Sequence, residues 1–206
     1  MHRKLVFAIF FFTASLPLFP QVAPAATLST LPQWSFGAAF STFNLDLGRG
    51  QLLGSAAWID YTLNGMPPRL RGLCIELEAR DLRWDRPLTE RALRVDGAGG
   101  GVIYKYAGFS NIHPYAKYTE ELTNVDYLVP RRRHQRANQS RTDTSIGGGI
   151  EFKAFRSVWV RAEYEYQYLP NFFITRKNSP VGAPLDPQGF TVGATYYLGH
   201  VHGAQR

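Results

Sequence analysis

Residues Val158–Leu169 read V-W-V-R-A-E-Y-E-Y-Q-Y-L. Even positions carry Val158, Val160, Ala162, Tyr164, Tyr166 and Tyr168; odd positions carry Trp159, Arg161, Glu163, Glu165 and Gln167. A period of two puts these sets on opposite faces of a strand. One face is apolar and aromatic, the other charged. The reading is a strand with lipid on its tyrosine side and a closed barrel interior on its Arg/Glu side.

The same alternation recurs along the chain. Trp34, Phe36, Ala38 and Phe40 open it, and the phase is expected to slip near Phe43, Leu45 and Leu47 through a bulge. A second strand spans Leu52–Leu63, with Leu53, Ala57, Ile59, Tyr61 and Leu63 on the apolar face. Asn64-Gly65 and Pro67-Pro68 stop it. Leu73, Ile75, Leu77 and Ala79 alternate with Cys74, Glu76, Glu78 and Arg80 in a third. The fourth runs near Val95–Tyr106, the fifth Ile112–Leu122, and the sixth carries Ile146, Ile150 and Phe152 against Glu151 and Lys153. The seventh is the opening stretch; the eighth holds Phe190, Val192, Ala194, Tyr196 and Leu198. Long loops are expected at Asn124–Thr142 and Pro170–Pro187. Strands of about ten residues at about 45° tilt cross a bilayer. The expected fold is all-β: an eight-stranded antiparallel up-and-down transmembrane β-barrel after an N-terminal signal peptide. Short turns would face the periplasm and long loops the exterior.

The signal peptide is assigned to residues 1–26. Arg3 and Lys4 precede the apolar run Leu5–Phe12, and Ala23-Pro24-Ala25 forms a small-x-small cleavage pattern. Residues 27–33 are a linker, 34–198 the barrel and 199–206 a tail. Cys74 is the single cysteine of the 206 residues, so no internal disulfide supports the fold. The net charge is +7, and +5 without Arg3 and Lys4. Arg131, Arg132, Arg133, Arg136 and Arg141 account for that whole excess. One basic loop, not a basic surface, carries the charge, and no nucleic-acid partner is expected.

A soluble eight-stranded barrel would bury the apolar face instead. Three features favour lipid outside. Gly97, Gly99, Gly101, Gly147, Gly149 and Gly193 fall on the charged face, where a narrow lumen crowds the chain. Tyr61, Tyr104, Tyr106, Tyr118, Tyr166, Tyr168 and Tyr196 fall on the apolar face near strand ends, where amphipathic rings meet the bilayer interface. No disulfide is present to brace a secreted soluble barrel.

The segments I-E-L-E-A-R-D-L-R (75–83), P-Y-A-K-Y (114–118), G-G-G-I-E-F (147–152), R-A-E-Y-E-Y-Q-Y-L-P-N (161–171) and G-F-T-V-G-A-T-Y-Y (189–197) resemble the OmpA-like eight-stranded outer-membrane β-barrel proteins of Gram-negative bacteria. The likeness spans about Trp34–Leu198 and specifies an architecture, not a reaction. It implies an outer-membrane location, lipid and lipopolysaccharide as surroundings, and the barrel assembly machinery as a partner during biogenesis. That machinery reads a terminal aromatic strand, which Tyr196 and Leu198 fit, with eight residues following.

The inward charges are read as Asp60, Glu76, Glu78, Arg80, Lys105, Lys117, Glu121, Glu151, Lys153, Arg161, Glu163 and Glu165. An unpaired buried charge is costly, so a salt-bridge ladder is expected, centred on Arg161, Glu163, Glu76, Glu78 and Arg80. The five loop arginines are candidate phosphate contacts for lipopolysaccharide. The leading expectation is a monomeric structural or surface-interaction protein with a plugged lumen. A narrow pore or carrier for small solutes is the alternative, and a lipid A-modifying enzyme the third. Catalytic, cofactor and metal residues are not expected: Ser110 beside His113 lacks an orienting acid, and His200 with His202 do not make a metal site.

Overall fold

The structure, a computed structural model, describes residues 31–44, 51–84, 93–128, 136–176 and 179–199. The expected signal peptide, most of the linker and nearly all of the tail lie outside them. The described strands are β1 (Trp34–Asn44), β2 (Gln51–Thr62), β3 (Leu73–Trp84), β4 (Leu93–Lys105), β5 (Ile112–Leu128), β6 (Arg136–Lys153), β7 (Val158–Arg176), β8 (Ser179–Leu185) and β9 (Gln188–Leu198). Every pairing is antiparallel, each strand pairing its sequence neighbour from β1 to β7. β9 pairs both β7 and β1, which closes the sheet on itself. β8 and β9 are two pieces of one stave. Tyr166 pairs Gln188 and Leu169 pairs Leu185, with the break at Asp186-Pro187. Proline has no N–H to give the ladder, which accounts for a break there. The ring therefore has eight staves.

The faces sort as the alternation requires. Leu77 is 60% exposed, Phe190 59% and Ile146 58%, whereas Trp159, Lys105 and Glu151 are 0% exposed. Tyr164, Tyr166 and Tyr168 are on the outer wall. A belt of large exposed apolar side chains far exceeds what a protein in water presents. The belt is lipid-facing.

Three expectations need correction. β1 shows no bulge as far as it is described: Trp34–Asn44 pair without interruption on both sides, Phe43 keeps the inward phase, and Leu45 and Leu47 lie outside the described residues. It joins Leu52, Leu82, Val95, Val125 and Leu169 in a buried apolar cluster. The lumen turns apolar there, which reads as a phase slip if every inward residue is assumed polar. The expected loop Asn124–Thr142 is largely strand, because β5 runs to Leu128 and β6 starts at Arg136. Likewise Pro170–Pro187 is mostly a hairpin of β7 and β8, with a register shift between Leu169 and Phe172. In both segments the alternation of apolar and charged residues breaks down although the backbone goes on pairing.

Candidate functional site: the charged lumen

The interior is built from inward positions of facing staves. β3 contributes Glu76, Glu78 and Arg80; β7 contributes Arg161, Glu163 and Glu165. In a ring of eight these two staves stand opposite one another. Their side chains meet across the lumen. Arg161 Nη1 donates to Glu76 Oε2 at 2.7 Å, and Arg80 clamps both Glu165 oxygens at 2.7 and 2.8 Å. Such bidentate guanidinium–carboxylate pairs are the strong, oriented kind. Arg161 also binds Glu163 at 2.6 Å and Tyr115 Oη at 2.8 Å, and lies 4.4 Å over the Trp58 ring. Arg80 reaches Glu78.

Lys117 on β5 knits the layer together. Its Nζ lies 2.6 Å from Glu78, 2.8 Å from Glu163, 2.9 Å from Glu165 and 3.6 Å from Glu76. Below it, Lys105 holds Asp60 at 2.7 Å and Glu151 at 2.9 Å. Ser35 donates to Asp60, while Thr195 and the Tyr197 hydroxyl donate to Glu151. These charges are removed from water, so each survives only through its partners.

Apolar groups close both ends. Phe43, Leu52, Leu82, Val95, Val125 and Leu169 cover the loop end. Leu31, Ala107, Trp159 and Tyr197 cover the turn end. Trp159 stacks on His113 at 4.2 Å between ring centroids. His113 is thereby buried, and no hydrogen bond joins it to Ser110.

Of the twelve charges expected inside, eleven are buried there. Lys153 is the exception. It has the inward parity but lies at the end of β6, beyond the closed lumen, and is exposed. Glu121 is buried yet makes no ion-pair contact among the described residues. Asp143 was not anticipated. It is buried, accepts from Thr123 at 2.8 Å, and pairs Glu121 across β5–β6. Its odd parity with Ser145, Gly147 and Gly149 was the available signal. Arg136 and Arg141 stand on β6 rather than in a loop, and Arg131, Arg132 and Arg133 lie outside the described residues. On the outer rim, Arg94 bridges Asp81 and Asp96 at 3.2 and 2.9 Å, with Arg83 on Asp81 at 3.0 Å.

This closed ring of eight staves has solved counterparts. Neisserial surface protein A superposes with a TM-score of 0.60 at 14% identity, over 80% of this chain and 96% of that one. The fold is that of the eight-stranded outer-membrane β-barrels. The outer membrane protein OprG of Pseudomonas aeruginosa superposes with a TM-score of 0.51 at 12% identity, over 81% of this chain and 96% of that one. No protein-family model matches the sequence, and no curated protein matches it. An apolar belt outside and ionised groups inside are the build of an outer-membrane barrel.

Proposed function

We propose that the protein is an outer-membrane anchor with a surface-interaction role and a plugged, non-conducting lumen. One observation carries this reading. Two arginines, Arg161 and Arg80, bridge opposite staves and fill the cross-section between two apolar seals. A solute path would require both bridges to part, leaving buried charges without partners. The long β5–β6 and β7–β8 hairpins project past the belt and supply the surface for contact. Lipopolysaccharide is the proposed neighbour. Arg131, Arg132, Arg133, Arg136 and Arg141 belong to or flank the β5–β6 hairpin, and guanidinium groups suit phosphate. Assembly machinery reading Tyr196 and Leu198, and a monomeric state, complete the proposal.

Planar-bilayer recording of the refolded protein tests the plug. Silence is expected, and steady unitary currents would contradict it. Replacing the five arginines with Ser should reduce co-purifying lipopolysaccharide while leaving the barrel folded. Undiminished lipopolysaccharide would refute that contact.

A further inference from the structure

Among the described residues, eight carboxylates are buried in the lumen: Asp60, Glu76, Glu78, Glu121, Asp143, Glu151, Glu163 and Glu165. Only four buried lysine or arginine side chains face them, Arg80, Lys105, Lys117 and Arg161, and His113 is stacked on Trp159 at the turn end. Six of the acids are shared out among these four. The two left over, Glu121 and Asp143, are direct cross-strand partners on β5 and β6. Arg80 acts on them only at longer range, its guanidinium being taken by Glu78 and Glu165.

Like charges this close, about 5 Å between backbones, cannot both stay ionised in a buried site without a counterion. The next inward pair down the ladder is Thr119 and Ser145. Both are fully buried, and neither hydroxyl has a hydrogen-bond partner. Glu121 Oε1 is unpartnered too. A buried polar atom without a partner normally signals something that binds it. On the other side, Glu121 Oε2 and Thr123 Oγ1 converge. A Cβ placed on Gly97 would lie 3.0 Å from the first and 3.2 Å from the second. Thr123 in turn donates to Asp143.

We propose that Glu121 and Asp143, with the hydroxyls of Thr119 and Ser145 on the adjoining rung, form a binding site for a hard divalent cation of the calcium type, while Thr123, one rung further on, orients Asp143. The donors are all oxygen, and two carboxylates match the ion's charge. Calcium accepts six to eight oxygens in loose geometry, whereas magnesium keeps several waters. The site sits between the arginine layer and the apolar cap, so a bound ion completes the charge balance of the plug.

The test uses the full chain, stripped of metal with EDTA while unfolded, and refolded in lipopolysaccharide-free detergent with or without calcium. Elemental mass spectrometry then counts the ion and a thermal melt reads its effect. The proposal expects about one calcium per barrel and a melting midpoint several degrees higher with calcium, since a ligand bound only by the folded state stabilises it. Glu121→Gln with Asp143→Asn should abolish both. Thr119→Val with Ser145→Ala keeps both carboxylates and should weaken calcium binding about tenfold or more, while Lys153→Ala leaves it unchanged. No calcium in the refolded wild-type protein, with an unchanged midpoint, overturns the proposal and assigns the pair shared protons instead. Equal calcium in the Glu121/Asp143 double variant also overturns it, by placing the ion elsewhere. The wild-type arm decides even if that variant does not fold.

Discussion

Replacing Arg161 with Ala probes the closed lumen most sharply. The guanidinium holds Glu76 at 2.7 Å and Glu163 at 2.6 Å, donates to Tyr115, and covers Trp58. Removing one partner of a buried pair costs about 3–5 kcal/mol, chiefly through the charge left behind. The two carboxylates are not equally exposed to that loss. Glu163 keeps Lys117 at 2.8 Å and the Tyr115 hydroxyl at 2.6 Å. Among the described residues Glu76 keeps only Lys117, at 3.6 Å. One poorly compensated carboxylate puts the expected loss near the lower end, about 3 kcal/mol. At typical urea slopes that moves the unfolding midpoint down by about 1–3 M. The assay is equilibrium unfolding of the barrel in lipid vesicles, followed by tryptophan fluorescence. Adding Glu76→Gln should recover part of the loss, because it removes the stranded charge; a double-mutant cycle measures that coupling. An unchanged midpoint for Arg161→Ala, or strictly additive effects, would refute the cross-lumen bridge.

Lys153→Ala should change stability by less than about 0.5 kcal/mol in the same assay, as an exposed surface change does. Leu77→Arg, on the lipid face where the leucine is 60% exposed, should cost about 2–4 kcal/mol in a bilayer. A neutral result there would mean the belt does not face hydrocarbon. Phe43→Ala empties the centre of the apolar cap and should cost about 3–5 kcal/mol. A loss under 1 kcal/mol would show that the cap does not pack as a core.

Much of this architecture was legible because a barrel wall separates two solvents at every residue. Tyr164 and Glu165 differ in chemistry because they meet different media, and that difference is written at period two. The strands were readable only where the two media differ. Between Asn124 and Thr142 polar residues fall at both parities, so the segment looked like a loop although Leu122–Leu128 pair with Arg136–Thr142 residue by residue. Phe43, Leu52 and Leu82 were obscure for the opposite reason: the lumen's end is apolar, so both faces there are hydrophobic. The inward glycines were read as crowding within the lumen, whereas the closest atoms at Gly101 and Gly149 belong to the backbone of the adjacent stave. A Cβ on Gly101 would lie 1.9 Å from the Tyr118 carbonyl oxygen, and one on Gly149 2.1 Å from that of Ala162. Individual partners were not legible. Alternation says that Arg161 and Glu76 point inward, but that they meet follows from β3 and β7 standing opposite in a ring of eight. Asp143 escaped notice because the sixth strand was read from Ile146, three residues past it, whereas β6 starts at Arg136.

The most direct measurement places a nitroxide at Leu77→Cys, in a Cys74→Ser background, and compares collisions with dissolved oxygen and with a water-soluble nickel reagent in lipid vesicles. Oxygen, concentrated in hydrocarbon, should dominate at this site. A label relaxed as readily by nickel would put water against the wall assigned to lipid and contradict the account.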